Sequence, residues 1–137
     1  MKEMEYKYMP DNPRWHEVLA DEQYRGYRFV IMNLGTHPCA YIVIPIGHPL
    51  WGKQYCEDQI IKDIDCHGGV TFTDKHPWID DQWCIGWDYA HCDDYAAYYE
   101  LFSSPLEITT KKWTTAEILE EAKSVIDQLI DKFKVRI

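Results

Sequence analysis

Two short stretches limit what this chain can fold into more than any other feature. Cys66-His67-Gly68-Gly69-Val70-Thr71-Phe72-Thr73 and Trp83-Cys84-Ile85-Gly86-Trp87-Asp88-Tyr89-Ala90-His91 both alternate apolar with small or polar residues. A period of two marks a strand, because successive side chains point to opposite faces. Residues 74–82 between them hold Pro77 and several acids and read as a loop. The economical arrangement is an antiparallel hairpin. If Val70 and Phe72 share a face with Trp83, Ile85 and Trp87, the register follows. It sets Phe72 opposite Trp83, Val70 opposite Ile85, Gly69 opposite Gly86 and His67 opposite Asp88. The second face of such a hairpin is floored by two glycines and edged by an imidazole and a carboxylate, a place where a ligand can approach backbone.

A first hairpin is expected upstream. Tyr27-Arg28-Phe29-Val30-Ile31-Met32 and Cys39-Ala40-Tyr41-Ile42-Val43-Ile44 are rich in β-branched and aromatic residues and flank a Gly/Pro turn at 34–38. Asn12-Pro13 is a helix-start signal, so residues 14–22 read as a short helix with Trp15, Val18 and Leu19 inward, after a loose polar arm. The 47–55 loop is punctuated by Gly47, Pro49 and Gly52, and residues 56–64 suit a brief helical turn. A second brief helix is expected over 96–102, ended by Ser103-Ser104-Pro105.

The clearest element is C-terminal. Thr114-Thr115-Ala116-Glu117 is a capping box. Ile118, Ala122, Val125, Leu129 and Phe133 then recur at helical spacing, widened by Leu119, Ile126 and Ile130. A helix over 114–134 should therefore lie on one face of the sheet. The fold class is α+β: one domain over 1–137, an N-terminal arm and short helix (1–23), about four antiparallel strands in two hairpins (24–91), and a packed C-terminal amphipathic helix.

Composition narrows the function classes. A formal net charge of −9 argues against a general nucleic-acid binder, which needs a basic face. It leaves polyanion mimicry as a minor alternative. No apolar run approaches the ~20 residues that span a bilayer. Residues 1–8 are charged and lack the apolar segment of a signal peptide. The five cysteines show no framework spacing and read as reduced thiols. The expected location is the cytoplasm. Six tryptophans and ten tyrosines supply flat surfaces for packing or stacking.

The candidate catalytic residues are His67, Asp88 and His91, since a carboxylate can fix an imidazole's tautomer and raise its basicity. With Asp65, the same three residues form the candidate ligand set for a divalent metal. Neither Cys-x-x-Cys nor His-x-x-x-His spacing supports that metal. His48 and Lys53 in the Pro/Gly loop, Gly69, Gly86 and Trp51 are the candidate ligand-binding residues. Each has a structural alternative: a cross-strand pair for His67 and Asp88, room for the helix at the glycines, an ordinary turn for His48 and Lys53. His37 and His76 read as turn residues and Asp80-Asp81 as a solvated loop tip, while Trp51 and Trp78 are the tryptophans expected at the surface.

The segments His48-Pro49-Leu50-Trp51-Gly52-Lys53-x-Tyr55, Cys66 to Phe72 and Trp83 to His91, with a helix opened by Trp113-Thr114, follow one another along most of the chain. In these segments the sequence resembles a family of small uncharacterised bacteriophage and prophage proteins. The resemblance implies a phage or prophage gene product and carries no activity with it. The expected function is a ligand- or protein-binding module for a small molecule or a host or phage protein. The alternatives are a small, metal-assisted hydrolase or transferase centred on His67, Asp88 and His91, and a purely structural protein.

Overall fold

The structure, a computed structural model, describes residues 17–34, 37–90 and 113–133. The expected arm at 1–12, the Asn12-Pro13 signal, Trp15, His91 and the helix over 96–102 lie outside the described residues. The architecture is α+β: a five-stranded antiparallel sheet with a C-terminal helix packed on one face. The strands are β1 (Glu17–Tyr24), β2 (Tyr27–Asn33), β3 (Pro38–Val43), β4 (Phe72–His76) and β5 (Gln82–Asp88), in the spatial order β1-β2-β3-β5-β4. Helix α1 is Gln59–Lys62 and helix α2 is Thr115–Lys132.

The fifth strand is β1, in the segment expected to hold a helix. Val18 pairs with Met32 but Ala20 pairs with Ile31, so Leu19 is an extra, bulged residue. The bulge puts Val18 on one face and Leu19 and Ala20 against the other core. That breaks the two-residue period and leaves a helix-like spacing. Arg25 (φ 52°) and Gly26 (φ 91°) make the two-residue turn into β2, with the paired left-handed residues that a tight hairpin favours.

Helix α2 follows its sequence closely. Thr114 accepts from the Glu117 amide, and Glu117 returns the bond to the Thr114 amide. Ile118, Ala122, Val125, Ile126 and Leu129 are buried against Phe29, Ile31, Ala40, Ile42, Ile85 and Trp87 of the sheet. Each such side chain contributes about 1.5–3 kcal/mol relative to exposure.

The sheet's other face is also a core, formed by Val30, Met32, Cys39, Tyr41, Val43, Ile79 and Cys84. Residues 83–87 of β5 are therefore buried throughout, and alternation alone does not choose their register. The register expected from alternation is displaced. Phe72 pairs with Gly86 and Lys75 with Trp83. Phe72 thus faces Tyr41, while Trp83, Ile85 and Trp87 face the helix.

Candidate functional site

The His67–Asp88 pair is not formed. Cys66 to Gly69 is a turn, closed by a 2.9 Å bond from the Gly69 amide to the Cys66 carbonyl, and Gly68 (φ 71°) and Gly69 (φ 82°) are both left-handed. A strand through His-Gly-Gly is incompatible with that backbone. The His67 ring stacks on Tyr89, at 4.8 Å between centroids and 7° between planes, on the helix side of the sheet. Asp88 pairs with Cys39 and lies on the opposite face. His67 and Asp88 therefore stand on opposite faces of the sheet, with no hydrogen bond between them.

The glycines also differ from expectation. They do not face each other, and neither makes room for the helix. A Cβ at Gly69 would meet open space, so its glycine serves the turn conformation alone. A Cβ at Gly86 would come within 2.6 Å of the Tyr41 ring, which lies across the bare backbone of its partner strand. This is close approach of a side chain to the sheet.

His67 instead belongs to a network that ties the Cys66–Gly69 turn to α2. Trp87 Nε1 donates to the Tyr89 hydroxyl at 3.0 Å, and that hydroxyl donates to Glu121 Oε1. The other carboxylate oxygen of Glu121 accepts the His67 amide at 3.0 Å. Trp113 packs against both the His67 and Tyr89 rings. Asp65 exchanges backbone bonds with the Gln128 side chain, both at 2.8 Å, which fastens the segment about two helical turns beyond Glu121. Burial, then the Glu121 carboxylate, drives the Tyr89 hydroxyl above its ordinary value. Burial, with Glu121 and Asp65 adding, pushes the Cys66 thiol up to about 12. A neutral thiol and a neutral phenol beside a satisfied carboxylate make a structural network, with no activated nucleophile in it. Glu121 was missed in the sequence, although it sits at 118 + 3 on the edge of the apolar stripe, where a carboxylate asks for a partner.

Asp88 lines a cleft of about 190 Å³ with Leu34, His37, Cys39, Tyr41, Thr71, Phe72 and Trp87. Its carboxylate accepts from the Thr71 hydroxyl at 3.4 Å and the Ala90 amide at 3.2 Å. Burial, with Asp88 adding, pushes the Cys39 thiol up to about 12. Among the described residues no group of three His, Cys, Asp or Glu side chains is placed to hold a metal ion. The expected set of Asp65, His67, Asp88 and His91 is divided between the two sheet faces for the three that are described.

The 47–55 loop splits its candidates. His48 turns inward: Nδ1 accepts the Leu50 amide at 3.0 Å, which assigns the neutral ring's proton to Nε2, 2.8 Å from the Tyr27 hydroxyl. The ring also packs on Phe133 at the end of α2. Burial holds the imidazole below its ordinary value. His48 is thus an anchor of the loop to β2 and α2, and Lys53 is exposed at the loop's end. His76 is likewise buried, its Nδ1 accepting the Trp78 amide at 3.1 Å.

Trp51, by contrast, opens onto a cleft of about 230 Å³ beside the tip of the β4–β5 hairpin, lined by Ile44, Ile46, Trp51, Lys75, Asp80, Asp81, Gln82 and Trp83. Trp51 packs against Trp83 at 5.5 Å with the rings inclined by 41°. Ile46 is 88% exposed and Trp51 36%. Asp80 is held by Arg28 at 3.0 Å. The side-chain head groups of Lys75, Asp81 and Gln82 make no hydrogen bond or ion pair among the described residues. Trp83 is 8% exposed, and its indole N–H finds no acceptor among the described residues, an omission that costs about 1–3 kcal/mol in a buried setting. Asp80 (φ 54°) and Asp81 (φ 57°) are left-handed without being glycine. Of this cleft the sequence indicated Trp51 alone, because the tip acids look like an ordinary solvated turn.

No protein-family model, no curated protein and no solved structure matches the chain significantly. Among the described residues no helix is long and apolar enough to cross a membrane.

Proposed function

We propose that the chain is a small binding module that seats an apolar or aromatic group in the cleft between the 44–52 segment and the β4–β5 tip. The observation that carries this reading is the company that Ile46 and Trp51 keep. Two large, exposed apolar side chains flank a concave surface in which Lys75, Asp81 and Gln82 make no side-chain hydrogen bond or ion pair among the described residues. Single exposed apolar residues are ordinary, whereas a concave apolar surface with a few convergent polar groups is what ligand sites use. At about 230 Å³ the cleft is smaller than the ~300–1,000 Å³ typical of drug-sized sites, which suits a small molecule.

The test is equilibrium binding of indole, as a minimal aromatic probe, to the wild-type chain and to Trp51→Ala and Ile46→Ser. Saturable binding that both substitutions weaken is the expected outcome. Binding that neither substitution alters would place the probe elsewhere and contradict the reading. The likeness of the His48–Tyr55, Cys66–Phe72 and Trp83–His91 segments to small phage and prophage proteins supports a phage or prophage origin for the module. Recovery of the coding sequence within a phage or prophage gene cluster tests that origin.

A further inference from the structure

We propose that this cleft takes a free α-amino acid with an aromatic or branched apolar side chain, its carboxylate meeting Lys75 and its ammonium meeting Asp81. The inference rests on the binding function proposed above and adds the class of ligand.

Three features of the cleft point the same way. It is chemically divided, with Ile44, Ile46, Trp51 and Trp83 forming an apolar wall and Lys75, Asp81 and Gln82 a polar one. Lys75 and Trp83 are register partners, so their side chains leave the sheet on the same face, and both line the cleft. The polar wall also carries one cation and one anion that do not pair with each other or with any other described residue, although both line one small cleft. The neighbouring acid, Asp80, is spoken for by Arg28, which leaves Asp81 as the unengaged carboxylate.

A ligand that satisfies both walls needs a compact apolar part, an anionic group and a cationic group within one small volume. An amino-acid zwitterion has all three. An apolar side chain inserted by a protein partner would fill the apolar wall but bring neither charge, because an internal peptide residue has no free ammonium or carboxylate. A purely anionic or purely cationic ligand would leave one of the two charges unmatched against its own sign. Opposite charges on both parties also give selectivity, since the mismatched ligand brings like charges together.

The experiment is a binding ladder on the full chain. The tightest of L-phenylalanine, L-leucine and L-tryptophan is compared with its N-acetyl form, its amide and its N-acetyl amide. Indole serves as the uncharged control. The free amino acid should bind most tightly, each singly blocked form about tenfold more weakly, and the doubly blocked form more weakly still. Lys75→Gln should erase the preference for free acid over amide, and Asp81→Asn the preference for free amine over acetyl. Both substitutions lie at exposed positions, and unchanged thermal midpoints would confirm that they leave the fold intact. Equal binding of all four forms, or a ladder unmoved by either substitution, overturns the amino-acid assignment. It leaves the aromatic cleft standing if indole binding still depends on Trp51. No binding by any amino acid also overturns the assignment, and loss of the indole signal as well removes the binding function with it.

Discussion

Trp83 and Trp87 sit four residues apart on one strand and face the same side of one sheet, yet their surroundings are opposite. At the Trp87 end the polar groups form one continuous chain of hydrogen bonds. The indole N–H bonds Tyr89, Tyr89 bonds Glu121, and Glu121 holds the His67 amide, under a lid of stacked rings. At the Trp83 end, among the described residues, the indole N–H has no acceptor, and the cleft beside it displays an ammonium and a carboxylate with no ion-pair partner, together with exposed apolar carbon. Satisfied networks fix a fold, while a concave apolar surface bordered by polar groups that are free to meet a ligand is open to binding. The lesson is that the sheet's most elaborate constellation is its fastening, and its plainest corner is the candidate site.

Substitutions can break this contrast at either end. The largest effect belongs to Trp87→Ala, which removes a buried indole and should cost about 3–5 kcal/mol in denaturant unfolding. A loss below about 1 kcal/mol would mean that the closed end is not a core. Tyr89→Phe comes next. It orphans the Trp87 N–H and removes the donor to Glu121, so a loss of about 1–3 kcal/mol is expected with indole binding unchanged.

The third effect is on pH. His48 is held below its ordinary value by burial, so the unfolded chain binds the proton more readily than the folded one. Its contribution is full above the unfolded value, about 6.5, and is lost as the pH falls through the lowered folded value. The stability advantage of the wild type over His48→Gln should therefore shrink as the pH is lowered. Indole affinity should fall with it, because His48 anchors the loop that carries Trp51. An advantage that grows on acidification would reverse the sign and contradict the assigned neutral ring. The smallest effect is that of Trp83→Phe, which deletes an N–H with no acceptor to lose. The relief of that unanswered donor, about 1–3 kcal/mol, offsets the packing lost with the smaller ring, so stability should stay within about 1 kcal/mol of wild type, against the much larger loss at Trp87.

The legible and illegible parts of the sequence divide along physical lines. Helix α2 was legible because its capping box and its stripe are local signals, each confined to one turn or one face. The β2–β3 hairpin was legible for the same reason. Strand β1 was hidden by one bulged residue, Leu19, and by a turn of Arg25-Gly26 in which an arginine takes a left-handed position. The register of the central hairpin was lost because β5 is buried on both faces, so a pattern of alternation had no solvent side to align with. The His-Gly-Gly segment looked like strand because its glycines fell at the right period, whereas their left-handed backbone makes a turn. Of the candidate site, Trp51 could be named from its loop. Lys75, Asp81 and Gln82 could not, since only the fold brings a strand residue, a turn tip and a distant loop to one cleft.

The most direct measurement is an indole N–H spectrum of the isotopically labelled chain, titrated with indole. The expected result is movement of the Trp51 and Trp83 signals on a single saturable curve, with the Trp87 signal, fixed by its bond to Tyr89, unmoved. Movement of the Trp87 signal with Trp51 and Trp83 still would put the binding site at the closed end and contradict the assignment of the open one.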